Sequence, residues 1–205
     1  MKVITCVNGY LEENCYILET DNNLIIIDPG SEAEKIMACF RGSSLPVSAI
    51  LLTHGHFDHI GAAKELRDVF DAKIYINEND ADMLSDVTKS LAGGFIPSYE
   101  GFDADVVFSG DTKLDINGDM IDVMYTPGHT MGSSCFFAGD LCFCGDTVFN
   151  LSIGRTDFPG SSPAAMADSL RKLKGIGRDM KVYPGHGPET TLDYERMNNP
   201  YFTCI

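Results

Sequence analysis

Three of the chain's five histidines fall within six residues, in Thr53-His54-Gly55-His56-Phe57-Asp58-His59. The other two are His129, in Thr126-Pro127-Gly128-His129-Thr130, and His186, in Pro184-Gly185-His186-Gly187. Neutral imidazole and carboxylate are the usual protein ligands for zinc, manganese and iron. His54 and His56 lie two apart, so an extended stretch projects both to one side. Asp58 and His59 open the next turn and can face a point a few ångströms away. That offset suits two ions sharing a water, as in two-metal hydrolases. Asp146, in Gly145-Asp146-Thr147, is the natural bridge, because a carboxylate has two oxygens and about four lone-pair sites.

The elements that must position these groups can be read from pattern. Val3–Val7, Cys15–Glu19 and Leu24–Asp28 read as strands, the last two joined by an Asp21-Asn22-Asn23 turn. Ser31-Glu32-Ala33-Glu34 reads as a capping box opening a helix to about Phe40. Ala49–Thr53 is a short buried strand feeding the histidine cluster, and Gly61–Phe70 is helical in pattern. Lys73–Asn77 is a strand and Asn79–Asp86 a short helix. An irregular stretch over 91–104 carries aromatics and could lie over a site. Strands resume at Asp105–Phe108, Thr112–Ile116 and Met120–Tyr125, and Gly139-Asp140 turns a hairpin between Ser134–Phe137 and Leu141–Cys144. Ser162-Pro163 starts a helix with Met166, Leu170 and Leu173 on one face, and Met180–Tyr183 is a last strand. All five histidines and Asp146 then sit at strand-end turns, where rigid scaffolds present reactive groups. Two β-rich halves, each followed by helices, predict two sheets with helices outside.

Composition narrows the partners. With 30 acidic and 15 basic residues the net charge is −15, which disfavours nucleic acid and anionic membranes alike. Seven cysteines, with no CxxC pair, read as buried free thiols in a reducing compartment. In a strand, Cys142 and Cys144 point to one face. The N-terminus lacks the apolar stretch of a signal peptide, and no apolar run approaches a membrane span. The expectation is a cytoplasmic protein of one domain over residues 1–205, acting on a small molecule.

The run Thr53–His59 followed by His129, Asp146 and His186 resembles the signature of the metallo-β-lactamase fold superfamily. Within it the chain looks most like the short bacterial glyoxalase II-like hydrolases. Asn14-Cys15-Tyr16, Gly154-Arg155-Thr156-Asp157-Phe158-Pro159-Gly160 and Pro184-Gly185-His186-Gly187-Pro188, with Thr191, Glu195 and Asn199-Pro200, carry that closer match. The resemblance implies an α/β protein, a four-layer αββα sandwich with a binuclear site at one edge of the sheets. It implies that His54, His56 and His129 hold one metal, that Asp58, His59 and His186 hold the second, and that Asp146 bridges. Full-length glyoxalase II has a C-terminal helical domain that makes most contacts to glutathione. Here Leu192–Ile205 has room for one helix at most, so that domain is not expected.

The expected activity is metal-dependent hydrolysis of a thioester such as S-lactoylglutathione. Two divalent ions, Zn2+ first and Fe or Mn as alternatives, activate a shared water, and Asp58 accepts its proton. A thiolate leaves without a general acid, which fits a sequence with no histidine to spare. Arg155 is the one basic residue of its motif that could meet an anionic substrate; the competing role is an ion pair with Asp157. Alternative activities are a mononuclear-iron persulfide dioxygenase and a lactonase of the same fold. A nuclease is disfavoured by the charge. A non-enzymatic metal-binding protein is disfavoured by the open, carboxylate-bridged site.

Overall fold

The computed structural model describes residues 1–96 and 99–205. The first sheet contains β1 (Lys2–Asn8), β2 (Glu13–Glu19), β3 (Leu24–Ile27), β4 (Val47–Leu51), β5 (Lys73–Asn77) and β6 (Val106–Phe108), in that spatial order. β1, β2 and β3 pair antiparallel, and β3 to β6 pair parallel. The second sheet contains β7 (Thr112–Ile116), β8 (Asp119–Tyr125), β9 (Ser134–Ala138), β10 (Leu141–Gly145), β13 (Lys181–Pro184) and β14 (Thr190–Thr191). Its order is β14-β13-β10-β9-β8-β7, with only β10 and β13 parallel. A small hairpin, β11 (Val148–Phe149) and β12 (Ser152–Ile153), stands apart. The helices are α1 (Ala33–Cys39), α2 (Phe57–Ile60), α3 (Ala63–Phe70), α4 (Pro163–Lys174), α5 (Leu192–Asn198) and α6 (Pro200–Thr203).

Strand periodicity divides the apolar residues among three cores. In β3, Ile25 and Ile27 face the second sheet, against Phe136, Phe143 and Tyr183. Leu24 and Ile26 face outward, against Ile36 of α1 and Leu66 of α3. A strand buried on both faces must read as a continuous apolar run, and Leu24–Ile27 does. The outer face of the second sheet carries Cys135, Phe137, Cys142 and Cys144, covered by Met166, Leu170 and Leu173 of α4 and Phe202 of α6. Two sheets face to face with helices outside each make the expected αββα sandwich. No helix is long and apolar enough to cross a membrane among the described residues.

Most expected elements fall within a few residues of their places. The Ser162 cap is formed, its hydroxyl accepting from Ala165 N at 3.2 Å. The Ser31 capping box is not. Glu32 takes the cap position in left-handed backbone with no side-chain cap bond, and the Ser31 hydroxyl bonds Asn8 Oδ1 at 3.0 Å instead. A partner across the sheet edge outcompetes the local one. The tail forms two short helices, α5 and α6, against the expected one at most. Asn199 and Pro200 break them, and Asn199 caps the second through Tyr201 N.

The 91–104 stretch is mostly packing. Tyr99 donates to Leu84 O at 2.7 Å and packs with Phe102 on the outer core of the first sheet. Phe95 stacks on Phe57 at 4.3 Å. Pro97 and Ser98 lie outside the described residues.

Candidate metal centre

Five strands of the two sheets end at one edge, and the turns after them interlock. Ser134 N donates to Thr53 O at 2.9 Å, Asp28 N to Leu51 O at 3.0 Å and Asn14 N to Gly185 O at 2.8 Å. The approach is close enough to require glycine at two of these turns. At Gly145, φ is +47° and a Cβ would lie 2.2 Å from Thr53 Oγ1. At Gly185 a Cβ would lie 2.2 Å from Asp146 Oδ1 and 2.6 Å from His59 Cε1.

The seven histidine and aspartate side chains singled out in the sequence all meet at this edge. His54, His56 and His129 each offer a ligand atom within 4.8 Å of the others, and so do Asp58, His59 and His186. Asp146 stands between the groups, with Oδ1 3.4 Å from His59 Nε2 and Oδ2 3.4 Å from His129 Nε2. Its Oδ2 is also 3.9 Å from His186 Nε2. Asp58 Oδ2 lies 3.3 Å from His186 Nε2. Asp58 and His59 sit in one-turn helix α2, directly after the extended His56, which gives the offset the sequence implied.

The second nitrogen of each ring decides which atom is free for a metal. His59 Nδ1 meets Asp28 Oδ2 at 2.9 Å, His129 Nδ1 meets Arg155 O at 2.8 Å and His186 Nδ1 meets Leu11 O at 3.1 Å. Each of these leaves Nε2 directed into the cluster. His54 Nδ1 is 3.1 Å from Thr53 Oγ1, which again leaves Nε2. His56 is the exception: its Nδ1 lies 2.9 Å from His129 Nε2, two nitrogens converging on one point. His54 Nε2 is buried without any hydrogen-bond partner, and His59 Nε2 and Asp146 Oδ1, also buried, face each other at 3.4 Å without well-aligned hydrogen-bond geometry. Buried polar atoms without a well-formed hydrogen bond are costly, and three of them aimed into one His/Asp cluster fit a bound cation. The donor set, five imidazoles and two carboxylates, suits zinc, iron or manganese.

Asp28 was not singled out in the sequence and emerges as the main support. Its carboxylate accepts from Thr53 N at 2.7 Å and Thr53 Oγ1 at 2.5 Å as well as holding His59. With its oxygens so engaged it orients ligands. Its signal was available: Asp28-Pro29-Gly30 is another strand-end turn, with Asp28 in left-handed backbone at φ 49°. Asp80 is a second support. It accepts from Gly55 N at 3.1 Å, from Thr130 Oγ1 at 2.6 Å and from Gly132 N at 2.7 Å. It thus ties the turn bearing His54 and His56 to the turn bearing His129. The β1–β2 turn braces the third side, where Asn14 Nδ2 donates to Pro184 O at 3.0 Å and Gly187 O at 2.8 Å, on either side of His186.

Electrostatics differ between the two ligand groups. Burial and the neighbouring imidazoles push the pKa of His54 well below its usual value, and that of His56 down to about 3. Both are held neutral. Burial also opposes a charge on His59, but Asp146, Asp58 and Asp28 together outweigh it and hold its pKa well above the usual value. For His186, burial is likewise outweighed by Asp58 and Asp146, and its pKa is raised. In metal-free protein the proton on His59 stabilises the fold. That contribution is fully present below the unfolded value of about 6.5 and lost as pH rises through the folded pKa. A metal entering this group must displace the proton. Calorimetry at pH 7 in buffers of different ionisation heat should therefore find one ion binding with release of about one proton or more, and affinity for that ion rising with pH. Proton-neutral binding of every ion would contradict this asymmetry.

The cluster floors a cleft of about 390 Å³ walled by Leu11, Phe57, Leu91, Phe149 and Phe158. Arg155 lines it too, but its guanidinium is held by Asp157 at 2.6 and 2.8 Å and lies 4.1 Å over the Phe158 ring. The ion pair with Asp157 is thus formed, and the Arg155 carbonyl also orients His129.

Residues 9–186 match the Metallo-beta-lactamase superfamily. The chain belongs to that superfamily. Membership places it among metal-dependent hydrolases. The hydroxyacylglutathione hydrolase GloC of Haemophilus influenzae is 33% identical, over 93% of this chain and 92% of its own. The crystal structure of the BLEG-1 B3 metallo-beta-lactamase superposes with a TM-score of 0.93 at 32% identity, covering 98% of this chain and all of that one. TTHA1623 in a di-iron-bound form gives 0.84 at 35% identity, over 96% of this chain and 98% of its own.

Proposed function

We propose that this superfamily member is a binuclear hydrolase acting on thioesters. The observation that carries the reading is the tethering of ring nitrogens, which leaves His54 Nε2, His59 Nε2 and Asp146 Oδ1 convergent and without a well-formed hydrogen bond. In this reading His54, His56 and His129 hold one ion, Asp58, His59 and His186 hold the other, and Asp146 lies between. Zinc is the first choice, with iron and manganese acceptable to the same donors; TTHA1623 shows iron in a similar chain. Bound divalent ions supply Lewis acidity and lower the pKa of water toward neutrality.

The chain's own residues do the rest. Asp58, largely buried with its Oδ2 toward His186, accepts the proton of the attacking water. Phe57, Leu91, Phe149 and Phe158 exclude bulk water from the cleft. The second ring nitrogens of His54, His59, His129 and His186 are committed, so none of these four is free to protonate a leaving group. A thiolate needs no such proton, since thiols have a pKa near 8.5. An amine leaving from a β-lactam does need one. That difference favours the thioester over the lactam substrate of BLEG-1, and GloC supports the same choice by name. Residues 1–205 are read as one catalytic domain, with Arg155 in a positioning role beside the cleft.

The test is a panel on metal-loaded protein: S-lactoylglutathione, a neutral thioester, an oxoester, an acyl lactone and a β-lactam. Thioesters should turn over fastest, and chelation should abolish the activity. Thioester turnover that is absent, or slower than lactone or β-lactam turnover, would overturn the reading. Oxygen uptake with glutathione persulfide would replace it with the dioxygenase.

A further inference from the structure

A second cleft, of about 370 Å³, adjoins the one over the metal-ligand cluster, and the two share His56, Leu91 and Phe158 as lining. Beyond these, Met83, Met131 and Pro159 make its apolar wall, and Asn79, Thr88 and Thr130 add neutral polar groups. Its ionised groups are all engaged. Asp80 accepts three hydrogen bonds, and Lys89 is paired with Asp82. Arg155, at the edge of the first cleft, is committed to Asp157. Among the described residues, the two clefts thus present no unpaired cation to an anionic substrate, on a chain whose net charge is −15.

Leu91 stands where the clefts meet. Its backbone is left-handed, at φ 64°, a region a leucine enters only when its surroundings hold it there. The turn before it is held by Ser90, whose carbonyl accepts from Phe57 N at 2.9 Å and whose N–H donates to Asp86 O at 3.0 Å. Two methionines flanking an open apolar surface make a wall that adapts to chains of different shape.

We propose that this second cleft receives an uncharged, apolar arm of the substrate, running from the reacting carbonyl past Phe158 to Met83 and Met131. The inference rests on the hydrolase reading above and adds the substrate class: esters or thioesters with a neutral apolar arm, in preference to polyanionic ones. An acyl chain and a thiol-side chain present the same chemistry to the cleft, and the experiment separates them.

Two series of neutral thioesters are assayed on zinc-loaded protein. One lengthens the acyl chain from two to eight carbons on N-acetylcysteamine, and the other lengthens an S-alkyl thioacetate over the same range. The readout is kcat/KM relative to the two-carbon member, in wild type, Met131→Glu and Met131→Leu. One series should rise about fourfold per added methylene before levelling off, the effect of burying a CH2, and so identify the arm. Met131→Glu should flatten that rise to within about threefold overall, and Met131→Leu should keep it. Two flat series in wild type, or a slope untouched by Met131→Glu, would overturn the inference. Met131 is exposed at 41%, so the substitution is compatible with folding. Calorimetric binding of N-alkylacetamides, which are not hydrolysed, keeps the two readings separate. Length-dependent binding without turnover of any thioester leaves the cleft assignment standing and sinks the hydrolase. Turnover with flat length dependence does the reverse.

Discussion

Asp146→Ala should strip the protein of bound metal and lower kcat by at least about a hundredfold. Asp146 is 9% exposed and lies within 3.4 to 3.9 Å of three imidazoles. Burial alone would raise its pKa, but His59 above all, with His129 and His186, holds it far below the ordinary carboxylate range. It is thus a full negative charge between the two groups of ligands that would hold the proposed ions. Removing one partner from a buried charge cluster costs about 3–5 kcal/mol, which is two to three or more orders of magnitude in an equilibrium or rate constant. Asp146→Asn keeps the shape and one acceptor oxygen, and should retain part of the metal at much reduced activity. Elemental analysis with steady-state assay checks both. Turnover by Asp146→Ala within tenfold of wild type would show that the carboxylate does not lie between the ions.

The second large effect is expected at a residue that touches no substrate. Asp28→Ala removes the acceptor of Thr53 N, Thr53 Oγ1 and His59 Nδ1 together. His59 is then free to turn or to carry its proton on the other nitrogen, and the strand leading into His54 loses its anchor. Loss of such a supporting group typically costs about 10–100-fold in metal affinity, and a buried unsatisfied donor adds about 1–3 kcal/mol of instability. Asp28→Asn should be milder in stability yet still weaken metal, because an amide cannot match the carboxylate at His59. Metal titration and thermal unfolding of the two variants measure these effects separately. Wild-type metal affinity in Asp28→Ala would mean that His59 is oriented by packing alone.

What could be read from the sequence was chemistry carried by near neighbours. Three histidines and an aspartate in six residues left few alternatives, and the Gly/Pro turns around His129 and His186 marked them as strand-end groups. The strand over Leu24–Asp28 was legible as an apolar run, while which of its residues face the second sheet and which face the helices emerged only from the fold. The supports were harder to see because their partners are remote. Asp28 and Asp80 act on residues 25 and 50 positions away; the Asp28-Pro29-Gly30 turn marks Asp28 as a strand-end group but names no partner, and Asp80 has no local mark at all. The Ser31 misreading has the same origin: a local capping pattern lost to Asn8, 23 residues earlier. Carbonyl groups that orient histidines, those of Leu11 and Arg155, carry no side-chain signal at all.

The most direct test of the account is the metal stoichiometry of purified, activity-restored protein, by elemental analysis and by titration of the metal-free chain. The donor set predicts two ions per chain, with loss of His186 removing only one of them. One ion per chain at saturation, with Asp58 and His186 indifferent to its binding, would contradict the binuclear centre on which the account rests.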